Sequence, residues 1–343
     1  MRRTEPLWAK TARSVLSRVL LYGGILFAAW WWLLRMPGPA RRPALRPLTA
    51  SETTLAKQLR DDVGKLAGTI GERNVLYKPR QLEQAAAFIE ASLASAGYPV
   101  RAQSYRASGV LCRNIGAEIR GAARPAEIVV VGAHYDTVPE SPGADDDASG
   151  VATVLALARH FAGTHPARTL RFVAFVNEEP PYFWTAEMGS LVYAKECRRR
   201  GERIEAMLSM ESVGYYSASP SSQHYPPAMR GLFPSTGDFV AFVGNVGSGA
   251  LVRETVGAFR RTAALPSEGA ALPNAIPGVG WSDHWSFWQQ GYPGIEVTDT
   301  APYRNPYYHT AKDTPEKLDY DRLARLTAAM YEVVAELASS AAR

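Results

Sequence analysis

Cysteine is scarce in this sequence, with two residues, Cys112 and Cys197, among 343. Cys112 falls in a segment with strand character and Cys197 in a predicted helix. This pattern does not resemble a disulfide framework or a cysteine-rich metal site, so we expect two unpaired structural thiols. A metal site in this chain would have to use imidazole and carboxylate ligands instead.

A basic surface is missing from most of the chain, although the formal net charge is +5. Residues 1–46 hold nine lysines and arginines against Glu5, a net charge of +8. The other 297 residues therefore carry a net charge of −3. A basic tail on a mildly acidic domain is typical of a membrane-associated protein and not of a nucleic-acid-binding protein. We expect no nucleic-acid partner.

A long apolar run lies near the N-terminus. Residues 19–34 are uncharged between Arg18 and Arg35, and the run approaches the roughly 20 residues that a membrane-spanning helix needs. Residues 30–32 are tryptophans at one end of the run, where an interfacial aromatic belt forms. The alternative is a cleaved signal peptide, but the run is long for one and no small-x-small cleavage site follows it. We therefore predict an uncleaved membrane anchor.

The sequence is predicted to have four segments. They are a basic N-terminal tail (1–14), a transmembrane anchor (15–35), a proline- and arginine-rich linker (36–50) and one folded domain (51–343). The prolines of the linker predict a stiff, extended spacer. Five basic residues precede the apolar run over residues 19–34 and four follow it closely, so they give little preference for either orientation. We expect the domain to lie outside the cytoplasm, in the periplasm or the extracellular space.

Strand and helix patterns alternate along the predicted domain. Strands are predicted over 111–121, 126–136, 169–179, 206–216 and 294–300, and helices over 55–66, 82–93, 147–163, 186–200 and 323–337. Residues 217–281 are rich in proline, glycine and serine, and we expect loops there. The alternation predicts an α/β fold in three layers, in which helices flank both faces of a mixed, largely parallel sheet.

Five polar clusters fall at or near the ends of predicted strands. They are His134-Tyr135-Asp136, Asp145-Asp146-Asp147, Glu178-Glu179, Glu211 and Tyr308-His309. Each cluster alone has an ordinary structural explanation, such as a helix N-cap for the three aspartates. The carboxyl ends of strands in an open α/β sheet meet at one edge, however, where ligands bind. Imidazoles and carboxylates together suit Zn²⁺, or Mn²⁺ or Co²⁺, and their number suits two ions that share a bridging carboxylate.

The order of these motifs is informative. GAHYDTV, PGADDDASGVA, FVNEE, SDHWSFW and YYHT with DTP resemble the motifs of the co-catalytic di-zinc aminopeptidase family. That family also contains glutamate carboxypeptidase, glutaminyl cyclase and the metal-less transferrin receptor. The resemblance extends over about residues 55–335. It implies a zinc exopeptidase fold, two zinc ions and a peptide substrate.

The resemblance also implies a set of metal ligands at the matching positions. They are His134 and Glu211 for one zinc, Glu179 and His309 for the other, and Asp146 as the bridge between them. Many relatives carry an aspartate where this sequence has Glu211. The added methylene could move the carboxylate oxygen by about 1 Å, although glutamate is a competent zinc ligand.

Other residues receive supporting roles from the same resemblance. Glu178 would be the general base that takes a proton from the metal-bridging water, and Tyr308 would donate a hydrogen bond to the oxyanion. Asp136 would hold the imidazole of His134. Two interpretations stay open for Asp283 and His284: they contact the substrate or support the ligands, or they form a buried structural network.

These predictions converge on a membrane-anchored zinc exopeptidase, with aminopeptidase as the expected activity. One alternative is a single-zinc aminoacyltransferase similar to glutaminyl cyclase. Another is a catalytically inactive binding ectodomain, which would be expected to lack metal ligands. The intact Glu178-Glu179 pair and the two histidines favour hydrolysis.

Overall fold

The computed structural model describes residues 7–40, 42 and 44–339. The chain forms two units, Met1–Arg35 and Met36–Arg343. The first unit contains helix α1 (Leu7–Leu34). Its segment Thr11–Leu34 has 24 residues and a mean hydropathy of 1.4, so it is long and apolar enough to cross a membrane. A membrane anchor and a signal sequence both have this character.

The second unit is built on a mixed sheet that comprises eight strands among the described residues. They are β1 (Arg101–Ala107), β2 (Val110–Ile119), β3 (Arg124–His134), β4 (Arg168–Phe175), β5 (Arg203–Glu211), β6 (Val240–Asn245), β7 (Ser267–Leu272) and β8 (Gly294–Thr298). Their order in the sheet is β1-β2-β4-β3-β5-β8-β6-β7. The four central strands β4, β3, β5 and β8 are parallel, and β6 and β7 are parallel to each other. The β1–β2, β2–β4 and β6–β8 pairs are antiparallel.

Helices cover both faces of this sheet. They are α2 (Ala50–Val63), α3 (Pro79–Ser95), α4 (Gly150–Phe161), α5 (Gly189–Arg199), α6 (Gly249–Thr262), α7 (His284–Trp288), α8 (Ala301–Arg304) and α9 (Tyr320–Ser339). On one face, Val130 and Phe175 pack against α5 and α7, whereas α4 and α9 lie on the other. Strands buried on both faces form near-continuous apolar runs, as β3 does over residues 128–131. The predicted three-layer α/β fold is confirmed.

The start of the second unit packs onto the sheet. Met36 is buried beside Gly269 of β7, where an added Cβ would lie 2.8 Å from the Met36 Cγ. Arg260 of α6 donates hydrogen bonds to the carbonyl oxygens of Pro37 (3.2 Å) and Gly38 (3.0 Å). Part of the segment predicted as a spacer therefore contacts the domain.

The prediction of loops over residues 217–281 is wrong in its second half. This region contains β6, α6 and β7. The strands are short and contain glycine and alanine, so they lack the apolar periodicity that identifies a strand from sequence. Gly244 of β6 shows why a small residue is needed, since a Cβ there would lie 2.8 Å from a methyl group of Val252 on α6. Small residues in these strands let α6 pack closely on them, and they leave the sequence without the apolar pattern that usually identifies a strand.

Both cysteines are buried and unpaired, as predicted.

Candidate metal centre

Three neighbouring parallel strands bring the first ligand candidates together. His134 is the last residue of β3, Glu211 is the last residue of β5, and Glu178 and Glu179 follow β4. The order β4-β3-β5 makes these strands adjacent, so their carboxyl ends meet at one edge of the sheet. All four side chains are buried. Buried ionisable groups at such density need a compensating partner.

Asp146 lies at the centre of this cluster. One carboxylate oxygen, Oδ1, is 3.1 Å from Nε2 of His134, and the other, Oδ2, is 3.0 Å from Nε2 of His309. The Oε2 atom of Glu211 is 3.3 Å from the His134 Nε2, and the Oε2 atom of Glu179 is 3.4 Å from the His309 Nε2. Two imidazole–carboxylate pairs therefore lie on opposite sides of one aspartate.

The same atoms form three groups that could each hold a metal ion. The groups are His134, Asp146 and Glu211; His134, Glu178 and Glu179; and Asp146, Glu179 and His309. Both ring nitrogens of His134 and the Oε1 atoms of Glu178 and Glu179 are buried and have no hydrogen-bond partner among the described residues. Such unpaired acceptors in a buried site fit a divalent cation with nitrogen and oxygen ligands.

Burial and neighbouring groups shift the pKa values of the ionisable side chains in the cluster. Burial raises the pKa of Glu178 well above its usual value, and burial together with Asp146 raises the pKa of Glu179 to about 7. Burial opposes the charged form of His309, yet hydrogen bonds to Asp146 and Glu179 raise its pKa to about 10. Burial also opposes ionisation of Asp146, but the nearby imidazoles of His134 and His309 lower its pKa. A divalent cation would relieve this competition for protons.

Glu211 is held by two serine hydroxyls. Ser212 Oγ donates to Oε1 and Ser282 Oγ donates to Oε2, both at 2.9 Å. These bonds direct the longer glutamate side chain so that Oε2 still lies in the His134–Asp146 group. Although the side chain of Glu211 is one methylene longer than that of aspartate, its Oε2 atom therefore still lies beside Nε2 of His134.

Asp136 supports the loop after β4. Its carboxylate accepts the backbone N–H groups of Glu178 (3.1 Å) and Glu179 (3.2 Å). The distance from its Oδ1 to Nδ1 of His134 is 3.7 Å, which is longer than a hydrogen bond. In this geometry Asp136 fixes the direction of both glutamates and lies beside the imidazole without bonding it.

Two further residues, to which the sequence assigned no individual role, support the ligands. Asp313 accepts the backbone N–H groups of Asp145 (2.9 Å) and Asp146 (3.2 Å), and so holds the aspartate loop from the far end of the chain. Asp147 accepts the N–H groups of Gly150 and Ser212, both at 3.0 Å. The one available signal for Asp313 was the DTP that accompanies YYHT.

Asp283 and His284 lie outside the three ligand groups. Both are fully buried at the start of α7. His284 Nε2 is 2.9 Å from the Val279 carbonyl oxygen, and no described residue forms a hydrogen bond with the Asp283 carboxylate. Burial raises the pKa of Asp283 to about 7. Their full burial agrees with a structural position behind the site better than with contact to a substrate.

Tyr308 joins the cluster to a cavity. Its ring stacks on the His309 ring with a centroid distance of 3.8 Å, and burial raises the pKa of its hydroxyl well above the usual value. Tyr308 and Glu211 line the cavity, which has about 820 Å³ of empty space, part of it open to solvent. Its other walls are mainly apolar and include Phe239, Phe242 and Trp281. A mainly apolar cleft with a few convergent polar groups is typical of a binding site.

Comparisons with known proteins agree with this geometry. Residues 114–334 match the profile of peptidase family M28. The chain is 37% identical over 279 residues to the uncharacterized protein YfbL of Escherichia coli, a match that covers 79% of this chain and 84% of that protein. It is 27% identical over 314 residues to the probable leucine aminopeptidase 1 of Trichophyton verrucosum, which covers 85% of this chain and 76% of that protein.

Solved structures share the fold. A zinc aminopeptidase from Bacillus subtilis superposes with a TM-score of 0.66 at 16% identity, over 87% of this chain and 98% of its own. A glutaminyl cyclase from Tannerella forsythia superposes with a TM-score of 0.59 at 20% identity, over 81% and 97% of the two chains. At such identities the likeness concerns the fold, and the chemistry must be judged from this chain's own residues.

Proposed function

Since this chain belongs to peptidase family M28, we propose that it is a zinc-dependent aminopeptidase with two metal ions, one on each side of Asp146. Family membership confirms the resemblance found in the motifs and the prediction of a peptidase. The observation that carries the two-ion proposal is the position of Asp146, because its two oxygens lie 3.1 and 3.0 Å from the Nε2 atoms of different histidines.

The proposed ligands form two sets that share Asp146. They are His134 and Glu211 on one side, and Glu179 and His309 on the other. When bound, zinc supplies Lewis acidity that polarises the scissile carbonyl and lowers the pKa of water. This chain's own contribution is to hold the five ligands in place before the substrate arrives, through Asp136, Asp313 and the serines that contact Glu211.

Glu178 is the proposed general base. It is buried next to the ligands, its Oε2 lies 3.9 Å from Nε2 of His134, and its Oε1 has no hydrogen-bond partner among the described residues. A raised pKa suits a carboxylate that accepts a proton from water and then returns it to the departing amine. Glu179, the next residue, is proposed to serve the metal, so the two adjacent carboxylates have different tasks.

Tyr308 is the proposed donor to the oxyanion. A phenol whose pKa is raised keeps its proton at neutral pH, so it can donate a hydrogen bond to an oxygen that gains negative charge. Stacking on His309 fixes the ring beside the cluster.

The charge of the cavity favours an aminopeptidase over a carboxypeptidase. No lysine or arginine is among the described residues that line the cavity beside Glu211. The carboxylate of a free C-terminus would need arginine or lysine to bind it.

We also propose that α1 anchors the protein in a membrane and that the peptidase domain lies outside the cytoplasm. The support is the length and hydropathy of Thr11–Leu34 and the three tryptophans near its end. Protease added to intact cells, or to spheroplasts of a double-membraned host, should degrade the domain. Protection that lasts until the cytoplasmic membrane is lysed would place the domain in the cytoplasm.

The function is tested on the full chain in detergent with a panel of aminoacyl-nitroanilides. We expect about two zinc ions per chain, activity that a chelator removes, and activity that zinc restores. Glu178→Gln should keep the zinc and lose at least ~10²-fold in kcat, while the exposed Glu187→Gln serves as a matched control. Undiminished turnover in Glu178→Gln would remove Glu178 from its role. Cyclisation of N-terminal glutamine without hydrolysis would support the aminoacyltransferase alternative.

A further inference from the structure

One carboxylate inside the apolar cavity lacks a partner. Glu296 on β8 is 6% exposed and lines the cavity, and no described residue forms a hydrogen bond with its carboxylate. The basic nitrogen within 4 Å is Nε2 of His284, at 3.9 Å from Oε2, and this nitrogen already faces the Val279 carbonyl oxygen at 2.9 Å. Burial lowers the pKa of His284 to about 4, so it carries no charge at neutral pH. No described residue therefore supplies a counter-charge to the Glu296 carboxylate within 4 Å.

A second glutamate in the same cavity is different. Glu268 on β7 has guanidinium nitrogens of both Arg42 and Arg260 at 3.9 Å. Its charge is compensated from outside the cavity. The two glutamates thus provide a matched pair, one with counter-charges and one without.

The position of Glu296 relative to the metal centre follows from strand pairing. Glu211 pairs with Thr298 and Ser209 pairs with Glu296, so Glu211 and Glu296 lie on the same face of the sheet, one strand apart and offset by two residues. Ordinary strand spacing puts their Cα atoms about 8 Å apart. An extended lysine side chain spans roughly 6 Å from Cα to Nζ. A residue whose carbonyl lies at the metal centre could thus reach Glu296 with a long side chain.

We propose that the cavity receives the side chain of the substrate's N-terminal residue and that Glu296 selects lysine and arginine there. This inference rests on the proposed aminopeptidase function. The cationic end of such a side chain supplies the partner that a buried carboxylate needs. The apolar walls contact its methylene groups, and the aromatic rings of Trp281 and Tyr303, which line the same cavity, offer favourable surfaces to a cation.

Binding is tested without catalysis by calorimetric titration of the zinc-loaded full chain with L-lysinol and L-norleucinol. Neither amino alcohol has an amide to hydrolyse, and they differ at the end of the side chain. We expect lysinol to bind about 30-fold more tightly, as for a hydrogen-bonded charge pair. Glu296→Gln should remove most of this preference. Glu268→Gln should change it by less than about 3-fold, because its carboxylate already has counter-charges.

Several results would overturn the inference. Equal affinities of the two ligands for the unmodified protein would do so, as would binding of neither. If Glu296→Gln weakened lysinol and norleucinol equally, Glu296 would bind the α-ammonium group that the two ligands share. If Glu268→Gln removed the preference for lysinol, Glu268 and not Glu296 would be the selecting residue. Failure of the proposed function looks different, because no nitroanilide would then be hydrolysed whatever the lysinol preference.

Discussion

Replacement of Asp313 by alanine tests how the metal centre is held. The Asp313 carboxylate is fully buried and accepts the N–H groups of Asp145 at 2.9 Å and Asp146 at 3.2 Å. Alanine removes both acceptors and leaves two backbone donors without partners. Because Asp146 is the proposed bridge between the metal ions, the loss should affect the metal more than the fold.

The protonation of Asp313 sets the size of the change in stability. Burial and the Asp145 carboxylate raise the pKa of Asp313 to about 8, so in the metal-free protein this acid is mainly protonated at neutral pH. Each hydrogen bond to such an uncharged acceptor contributes about 0.5–1.5 kcal/mol. We expect the free energy of unfolding of the metal-free protein to fall by only about 1–2 kcal/mol. Zinc affinity should fall about 10–100-fold, as for other residues that orient metal ligands.

The assay is a competition titration of zinc against a chromophoric chelator, with urea unfolding in EDTA measured in parallel. Asp313→Asn keeps one acceptor oxygen, so its zinc affinity should be intermediate. The exposed Asp321→Ala is the control for loss of a nearby carboxylate. Zinc affinity equal to that of the unmodified protein in Asp313→Ala would refute the role of Asp313 in holding Asp146.

Three further variants probe other parts of the structure. Tyr308→Phe should retain zinc and lower kcat about 10²-fold, because it removes a proposed oxyanion donor. Gly189→Ala should lower the free energy of unfolding by about 2–3 kcal/mol in urea, because its Cβ would lie 2.1 Å from the Val176 carbonyl oxygen. A hydrogen bond from Arg46 lowers the pKa of Glu52 to about 2, so this ion pair stabilises the fold above about pH 4 and is lost as the pH falls through 2. Glu52→Gln should therefore cost about 1 kcal/mol at pH 7 and almost nothing at pH 2.

For each of these three variants, one result would contradict the prediction. Full kcat in Tyr308→Phe would leave the oxyanion to other groups. An unchanged urea midpoint in Gly189→Ala would mean that the backbone around Val176 yields at little cost. A stability difference for Glu52→Gln that is independent of pH would show that the Arg46 pair does not carry it.

The sequence predicted those parts of the fold that local patterns encode. The apolar run over residues 128–131 identified β3, and polar residues directly after strands identified the ligand candidates His134 and Glu179. The β6–α6–β7 region was missed because its glycines and alanines serve close packing between elements and leave no clear periodicity.

Residues that act through the backbone could not be predicted in the same way. Asp313 holds the N–H of Asp146, 167 positions away, and Asp136 holds the N–H groups of Glu178 and Glu179. No local pattern specifies such a contact. Glu296 lies within a strand that was predicted, yet its isolation became visible only when the cavity and the neighbouring charges were known.

The most direct test of the two-metal proposal is an anomalous difference map, recorded on both sides of the zinc absorption edge, from crystals of the zinc-loaded protein. We predict two zinc peaks roughly 3.5–4 Å apart, one beside His134 and Glu211 and one beside Glu179 and His309, with the Asp146 carboxylate between them. A single peak would reduce the centre to one ion, and the absence of any peak at Asp146 would contradict the account.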